Sequence, residues 1–203
     1  MKLFENGVIS HKVFSQKFLN NEKGQLSIGE IPKYIVNDYT HYGRCPLFFK
    51  NKFLNNKWEC KIDSIYFGND EQNIIPFSSQ NEQSIIFRSY TPKSFVPRDF
   101  FEKLGEIYLK KEIEEKKCFQ IIRKTIMYYE CFDEIVVQNI TFLFNGWEFT
   151  LTSEDLFEKN DATKIFLLYY NRGSEEFSLA GPLLKKFEIV YDQANDQIGF
   201  YQI

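Results

Sequence analysis

The segment SIIFRSYTPKSFVP (residues 84–97) decides the fold class and poses the main functional question. It begins with three apolar residues, Ile85, Ile86 and Phe87, which are typical of a buried strand. Residues suited to a turn follow at once: Arg88, Ser89, Tyr90, Thr91 and Pro92. The segment closes on Pro97. This pattern predicts a buried strand that runs directly into a polar turn.

Four further blocks accompany this segment in a recognisable order. They are GVISHKVFSQKFL with GQLSIGE (7–19 and 24–30), WECKIDSIYFG (58–68), ITFLFNGWEFTL (140–151) and LAGPLLKKFEIVYDQANDQIGF (179–200). Together with residues 84–97 they resemble the C-terminal lobe of the pepsin-like aspartic proteases. The resemblance implies one domain over residues 1–203, mainly β. It would be an antiparallel barrel or sheet with one or two short helices.

The resemblance places a degenerate active-site turn at residues 88–91. In this family the turn reads Asp-(Thr/Ser)-Gly-Thr, so Arg88 stands at the aspartate and Tyr90 at the glycine, whereas Ser89 and Thr91 match. Aspartic proteases use two carboxyl groups, one from each lobe, that share a proton. A guanidinium stays protonated and cannot replace one of them. The expectation is therefore a protein without catalytic residues, which is not an enzyme.

The composition supports a mainly β domain. Hydrophobic residues make up 43% of the 203 residues and aromatic residues 18%, which is enough for a sizeable core. The 22 Phe and 12 Tyr occur in short alternating runs broken by Asn, Gly and Pro, as in strands. One pair of runs flanks Asn145 and Gly146, a dipeptide that predicts a two-residue hairpin.

One segment after residue 97 is predicted to be helical. Pro97 suits a helix start, and Phe100, Phe101, Leu104 and the pair Ile107–Tyr108 follow at spacings that place them on one face. The charged run at 110–117 is interpreted as a solvated helix face or loop.

Charge and targeting signals exclude several classes of protein. The net charge is −3 and no basic cluster is interleaved with aromatic residues, so no nucleic-acid partner is expected. No apolar run is long enough for a membrane span. No cofactor or metal motif occurs, and the N-terminus lacks the apolar core of a signal peptide. These features favour an intracellular protein or a piece of a longer secretory-pathway protein.

The four cysteines leave the redox state open. The resemblance implies a disulfide in this lobe, with Cys131 at the position of one partner and Cys118 as a candidate mate. An intracellular protein would keep both thiols reduced. His41 lies four residues from Cys45, but such an offset in an extended segment does not join two side chains, so a structural role is favoured over a catalytic pair.

The sequon Asn139-Ile140-Thr141 falls in a predicted strand and is not favoured as a site.

The sequence therefore predicts a non-catalytic subunit of a larger, hetero-oligomeric protein assembly. Two alternatives remain: a peptide-binding module that does not cleave, and the C-terminal lobe of a split or longer aspartic endopeptidase. A lone lobe is expected to expose segments 2–4 and 198–203, with Phe200, Tyr201 and Ile203 at the partner interface. Loops such as 50–57 could instead cover these edges.

Overall fold

Short strands dominate the structure, as the alternating aromatic runs predict. The computed structural model describes residues 2–18, 23–48, 58–68, 74–76, 83–89 and 91–203. The strands are β1 Val13–Phe18, β2 Gly24–Ile28, β3 Tyr42–Pro46, β4 Glu59–Lys61, β5 Ser64–Phe67, β6 Ile74–Pro76, β7 Ser84–Arg88, β8 Ser94–Phe95, β9 Cys118–Arg123, β10 Ile126–Phe132, β11 Ile140–Phe144, β12 Trp147–Leu151, β13 Phe157–Asn160, β14 Thr163–Phe166, β15 Leu168–Asn171, β16 Phe177–Ala180, β17 Phe187–Asp192 and β18 Gln197–Gln202.

The helices are short. They are α1 Lys2–Glu5, α2 Lys33–Asn37, α3 Arg98–Lys103, α4 Lys110–Glu114 and α5 Ser153–Leu156. Single 3₁₀ turns occur at Tyr39–His41 and Gly181–Leu184, and one π turn at Leu104–Tyr108. The prediction of a mainly β fold is confirmed, although the short helices outnumber the one or two expected.

The strands form three sheets. A five-stranded antiparallel sheet has the order β2-β1-β17-β18-β3, and a four-stranded sheet the order β12-β11-β5-β6. The largest sheet runs β13-β14-β10-β15-β8-β16-β7-β4, with β9 paired to β10. It is mixed, because β7 pairs in parallel with β16 and β8 in parallel with β15. The strand that carries Arg88 is thus an interior strand of this sheet.

An aromatic core packs the three sheets against one another. Phe87 of β7, Phe144 of β11, Phe149 of β12 and Phe200 of β18 are all buried. The ring of Phe200 lies 4.8 Å from Phe87, 5.9 Å from Phe144 and 5.8 Å from Phe149, measured between centroids. These rings come from strands of all three sheets, so the cluster joins the sheets to one another.

The hairpin between β11 and β12 is confirmed. Asn145 and Gly146 form the loop, and their φ angles are 47° and 77°. Positive φ at both loop residues is the geometry that Asn-Gly favours in a two-residue hairpin.

The helical segment starts as predicted but changes phase halfway. α3 begins after Pro97, and Phe100, Phe101 and Leu104 are buried. The amide of Leu109 then donates to the carbonyl of Leu104 at 2.7 Å, which closes a π turn. Because this turn contains one extra residue, the inward face rotates. Leu109 is fully buried and Ile107 is 54% exposed, so the expectation that Ile107 lies on the buried face is wrong. Tyr108 does pack on the core, with its ring centroid 4.8 Å from that of Phe67.

The C-terminal strand lies inside a sheet rather than at its edge. β18 pairs with β17 on one side and with β3 on the other. Phe200 is fully buried and stacks on Trp147 at 5.1 Å, and Trp147 occupies the space beside Gly43 where any Cβ would clash. The expected exposure of Phe200 is therefore wrong. Tyr201 is half-buried and Ile203 is 49% exposed, while loop 50–57 lies outside the described residues.

Candidate functional site

The polar turn predicted after the apolar strand begins at the end of β7. The amide and the hydroxyl of Thr91 both donate to the carbonyl oxygen of Arg88, each at 3.1 Å. These bonds reverse the chain within four residues. Tyr90, which the resemblance sets at the family's glycine, lies outside the described residues.

Arg88 forms an ion pair within its own chain. Its Nη2 atom lies 2.8 Å from Oε2 of Glu176, the residue that precedes β16. The Arg88 side chain is 29% exposed and the Glu176 side chain 43%. The position that the resemblance gives to the catalytic acid thus holds a cation that already contacts a carboxylate.

Ser89 ties the turn to the five-stranded sheet. Its hydroxyl donates a hydrogen bond to Oε1 of Gln16, which lies in β1. Gln16 sits two residues from Phe14, and both are half-buried. The turn is therefore anchored by a neutral contact between two polar side chains, and this contact provides no acid.

Two buried serines cross-link the strands behind the turn. Ser94 Oγ accepts a hydrogen bond from the amide of Ala180 at 2.8 Å, and Ser178 Oγ accepts one from the amide of Phe95 at 3.2 Å. The amide of Gly181 donates to the carbonyl of Thr91 at 3.2 Å. Neither serine was predicted from the sequence. The available signal was a small polar residue inside an otherwise apolar run, as in Phe-Ser-Leu-Ala.

The structure pairs all four cysteines. Cys118 and Cys131 face each other across β9 and β10 and are joined in a disulfide. Cys45 and Cys60 form a second disulfide, which was not predicted from the sequence. The even cysteine count was the only available signal, because Cys60 lies 15 residues from Cys45.

His41 has polar neighbours of its own and does not contact Cys45. Its Nδ1 atom lies 2.9 Å from Asp38 Oδ2, and its side chain is 58% exposed. Hydrogen bonds from Thr40 and then from His41 lower the pKa of Asp38 to about 2. Cys45 is buried in its disulfide, so a Cys-His nucleophile is excluded. This agrees with the structural role expected for His41.

No cluster of three or more His, Cys, Asp or Glu suited to a metal ion occurs in the described part of the chain. Within the same residues, no helix is both long enough and apolar enough to cross a bilayer. A cavity of about 630 Å³ lies between α3 and β10, over the stacked rings of Phe101 and Tyr129, but Arg88, Ser89 and Thr91 do not line it.

Comparison with known proteins agrees with the resemblance seen in the sequence blocks. A sequence model described as "Eukaryotic aspartyl protease" matches residues 1–203. The fold is similar to the crystal structure of an aspartic proteinase from Irpex lacteus, with a TM-score of 0.73 and 16% sequence identity. The match covers 98% of this chain but only 59% of that chain. A sequence comparison with curated proteins finds no match.

Proposed function

We propose that this chain, which belongs to the eukaryotic aspartyl protease family, is a non-catalytic member of that family. It would act as a structural or interaction subunit of a larger protein assembly. The observation that carries this proposal is the ion pair, 2.8 Å long, between Glu176 and Arg88, the residue that the sequence resemblance matches to the family's catalytic aspartate. The family's reaction needs two carboxyl groups that share one proton, so that one activates water and the other protonates the carbonyl group. A guanidinium bound to a carboxylate cannot take either role.

Exposed apolar surface supports the part of the proposal that concerns partners. β2 is the end strand of the five-stranded sheet and pairs only with β1 among the described residues. Its residues Leu26 and Ile28 are 55% and 44% exposed, and Leu3 and Phe4 of α1 are 42% and 40% exposed. An unpaired strand edge beside apolar side chains invites pairing with another chain. We place the partner contact at β2 and α1, with Tyr201 and Ile203 as further candidates.

The first experiment tests for catalysis. The purified chain, alone and mixed with the N-terminal lobe of an active aspartic protease, is incubated with a peptide library at acid pH. An intact two-lobed protease is the positive control. We expect no cleavage, and none from the isolated Arg88→Asp/Tyr90→Gly variant, because a lone carboxyl group has no partner. Cleavage that a transition-state mimic with a central hydroxyl blocks would contradict the proposal and favour the split-endopeptidase alternative.

The second experiment tests the interaction surface. The chain is purified under native conditions from its source cells, and its assembly is measured by native mass spectrometry. Leu26→Lys/Ile28→Lys should release the partner. Ile122→Lys is the matched control, because Ile122 is 57% exposed on β9 in a different sheet, and it should leave the complex intact. A monomeric wild-type chain, or equal loss of partner in both variants, would refute the assignment of the contact to β2.

A further inference from the structure

The sequon Asn139-Ile140-Thr141 is placed differently in the structure than its sequence pattern predicts. β11 starts at Ile140, so Asn139 is the last residue of the preceding irregular segment and not part of the strand. Its backbone carbonyl accepts a hydrogen bond from the amide of Gly68 at 2.8 Å, which fixes its position. Its side chain is half-buried and makes no hydrogen bond within the described part of the chain. An asparagine amide of this kind is open to modification.

The paired cysteines give an independent reason to expect that modification. The two disulfides leave no cysteine free in the structure. Structural disulfides form in oxidising compartments such as the lumen of the endoplasmic reticulum. The same lumen is where Asn-x-Ser/Thr sequons receive glycans. A chain that acquires both disulfides there would also present its sequon to the glycosyltransferase.

The folded structure has room for a glycan on Asn139. Asn139, Val136 and Phe157 line an open cavity of about 650 Å³. Val136 is 78% exposed, so the apolar wall beside Asn139 is accessible. Thr141 itself is buried, and its Oγ1 lies 3.0 Å from Thr150 Oγ1. This burial is compatible with recognition by the glycosyltransferase, because the enzyme binds the sequon in the extended chain before strand β11 pairs with its neighbours.

We propose that Asn139 is an N-glycosylation site and that the folded domain carries one glycan there. The donor is an oligosaccharide linked to a lipid pyrophosphate. A bond forms between Asn139 Nδ2 and the anomeric carbon of the first sugar, while the bond from that carbon to the pyrophosphate oxygen breaks. The amide loses one proton to a base of the transferase, and the lipid pyrophosphate leaves.

The test uses the full chain, directed by an appended leader into the secretory pathway of a eukaryotic cell. The mass of the product is measured before and after digestion with peptide N-glycosidase. On digestion, wild type and Thr141→Ser, which keeps the sequon, should each lose the mass of one glycan. Asn139→Gln and Thr141→Val should show no change of mass, because neither receives a glycan. The first removes the acceptor, and the second removes the hydroxyl with little change of shape. Asn160→Gln, an exposed asparagine without a sequon, is the control and should behave like wild type.

Because glycan transfer precedes folding, the mass of a variant does not show whether that variant folds. A second measurement therefore uses the folded wild-type chain. Mass spectrometry of the secreted wild-type chain without reducing agent should find one glycan on Asn139 together with both disulfides. A wild-type chain without any glycosidase-sensitive mass overturns the proposal. So does a glycan found only on misfolded, retained chains while the secreted folded chain has none.

Discussion

Strand β7 connects two regions of very different character. Ile85 and Phe87 are buried, and Phe87 packs 4.8 Å from Phe200 in the aromatic core. One residue later, Arg88 reaches a partly exposed ion pair with Glu176. The buried residues of β7 thus end directly before the turn that the sequence resemblance matches to the family's active site. The buried core cluster does not include Arg88, so the packing of this fold places no demand on the residue at position 88.

The physical basis of this separation is the kind of interaction in each region. The core is stabilised by the burial of large aromatic side chains, which dominate the energetics of domain cores. The turn is held by hydrogen bonds from Thr91 to the Arg88 carbonyl and from the Gly181 amide to the Thr91 carbonyl, and the strands behind it by hydrogen bonds from backbone amides to Ser94 and Ser178. None of these contacts requires a carboxyl group at position 88. Substitutions in the core, behind the turn and at the ion pair should therefore have effects that decrease in this order.

The largest effect is expected in the core. Phe200→Ala should lower the free energy of unfolding by about 3–5 kcal/mol, because it leaves a cavity between β18, β7 and β11. Urea denaturation measures the change. Phe119→Ala is the control, because Phe119 is 46% exposed on β9, and it should cost less than about 1 kcal/mol.

Phe200→Leu provides a milder version if the alanine variant fails to fold. A Phe200 variant as stable as wild type, but defective in assembly, would contradict the burial of this ring. It would restore the expectation that Phe200 faces a partner.

An intermediate effect is expected behind the turn. Ser94→Ala leaves the buried amide of Ala180 without an acceptor, so it should cost about 1–3 kcal/mol in unfolding free energy. Ser174→Ala is the control, since Ser174 is half-buried before β16 and its hydroxyl makes no hydrogen bond among the described residues. It should stay within about 0.5 kcal/mol of wild type. Equal stability of the two variants, measured by urea denaturation, would show that the hydrogen bond to Ser94 does not stabilise the strands behind the turn.

Local features of the fold were predictable from the sequence. The Asn145-Gly146 hairpin, the strand at 85–87 and the helix start after Pro97 each depend on neighbouring residues, and the structure confirms all three. Ile107 was misassigned, because the helical spacing assumed 3.6 residues per turn and the π turn adds one residue.

The other features that the sequence did not predict are contacts between distant residues. Glu176 reaches Arg88 because β16 lies beside β7, although the two residues are 88 positions apart. Likewise, an apolar C-terminal run does not show whether its strand lies at a sheet edge or between two neighbours. β18 lies inside its sheet because it pairs with β3, and Phe200 is buried because rings of distant strands such as Phe87 and Phe149 pack on it; neither contact has a local sequence signal. The candidate site was thus located by the turn residues, but its ion pair could be found only in the folded chain.

The smallest effect is expected at the ion pair itself. A double-mutant cycle with Arg88→Gln and Glu176→Gln should give a coupling free energy below about 1 kcal/mol, because both side chains are partly exposed. The coupling should fall further as salt is added. Arg98 and Glu102, an exposed pair four residues apart in sequence, supply the matched cycle.

The informative variant at this site is Arg88→Asp. It restores the family's acid but places a second carboxylate near Glu176, so it should destabilise the domain more than Arg88→Gln does. Glu176→Gln should relieve this additional cost, because it removes one of the two like charges. Urea denaturation of the single and double variants measures both effects. If Arg88→Asp is as stable as Arg88→Gln with Glu176 intact, the carboxylates do not interact. Glu176 would then be no obstacle to an acid in this turn.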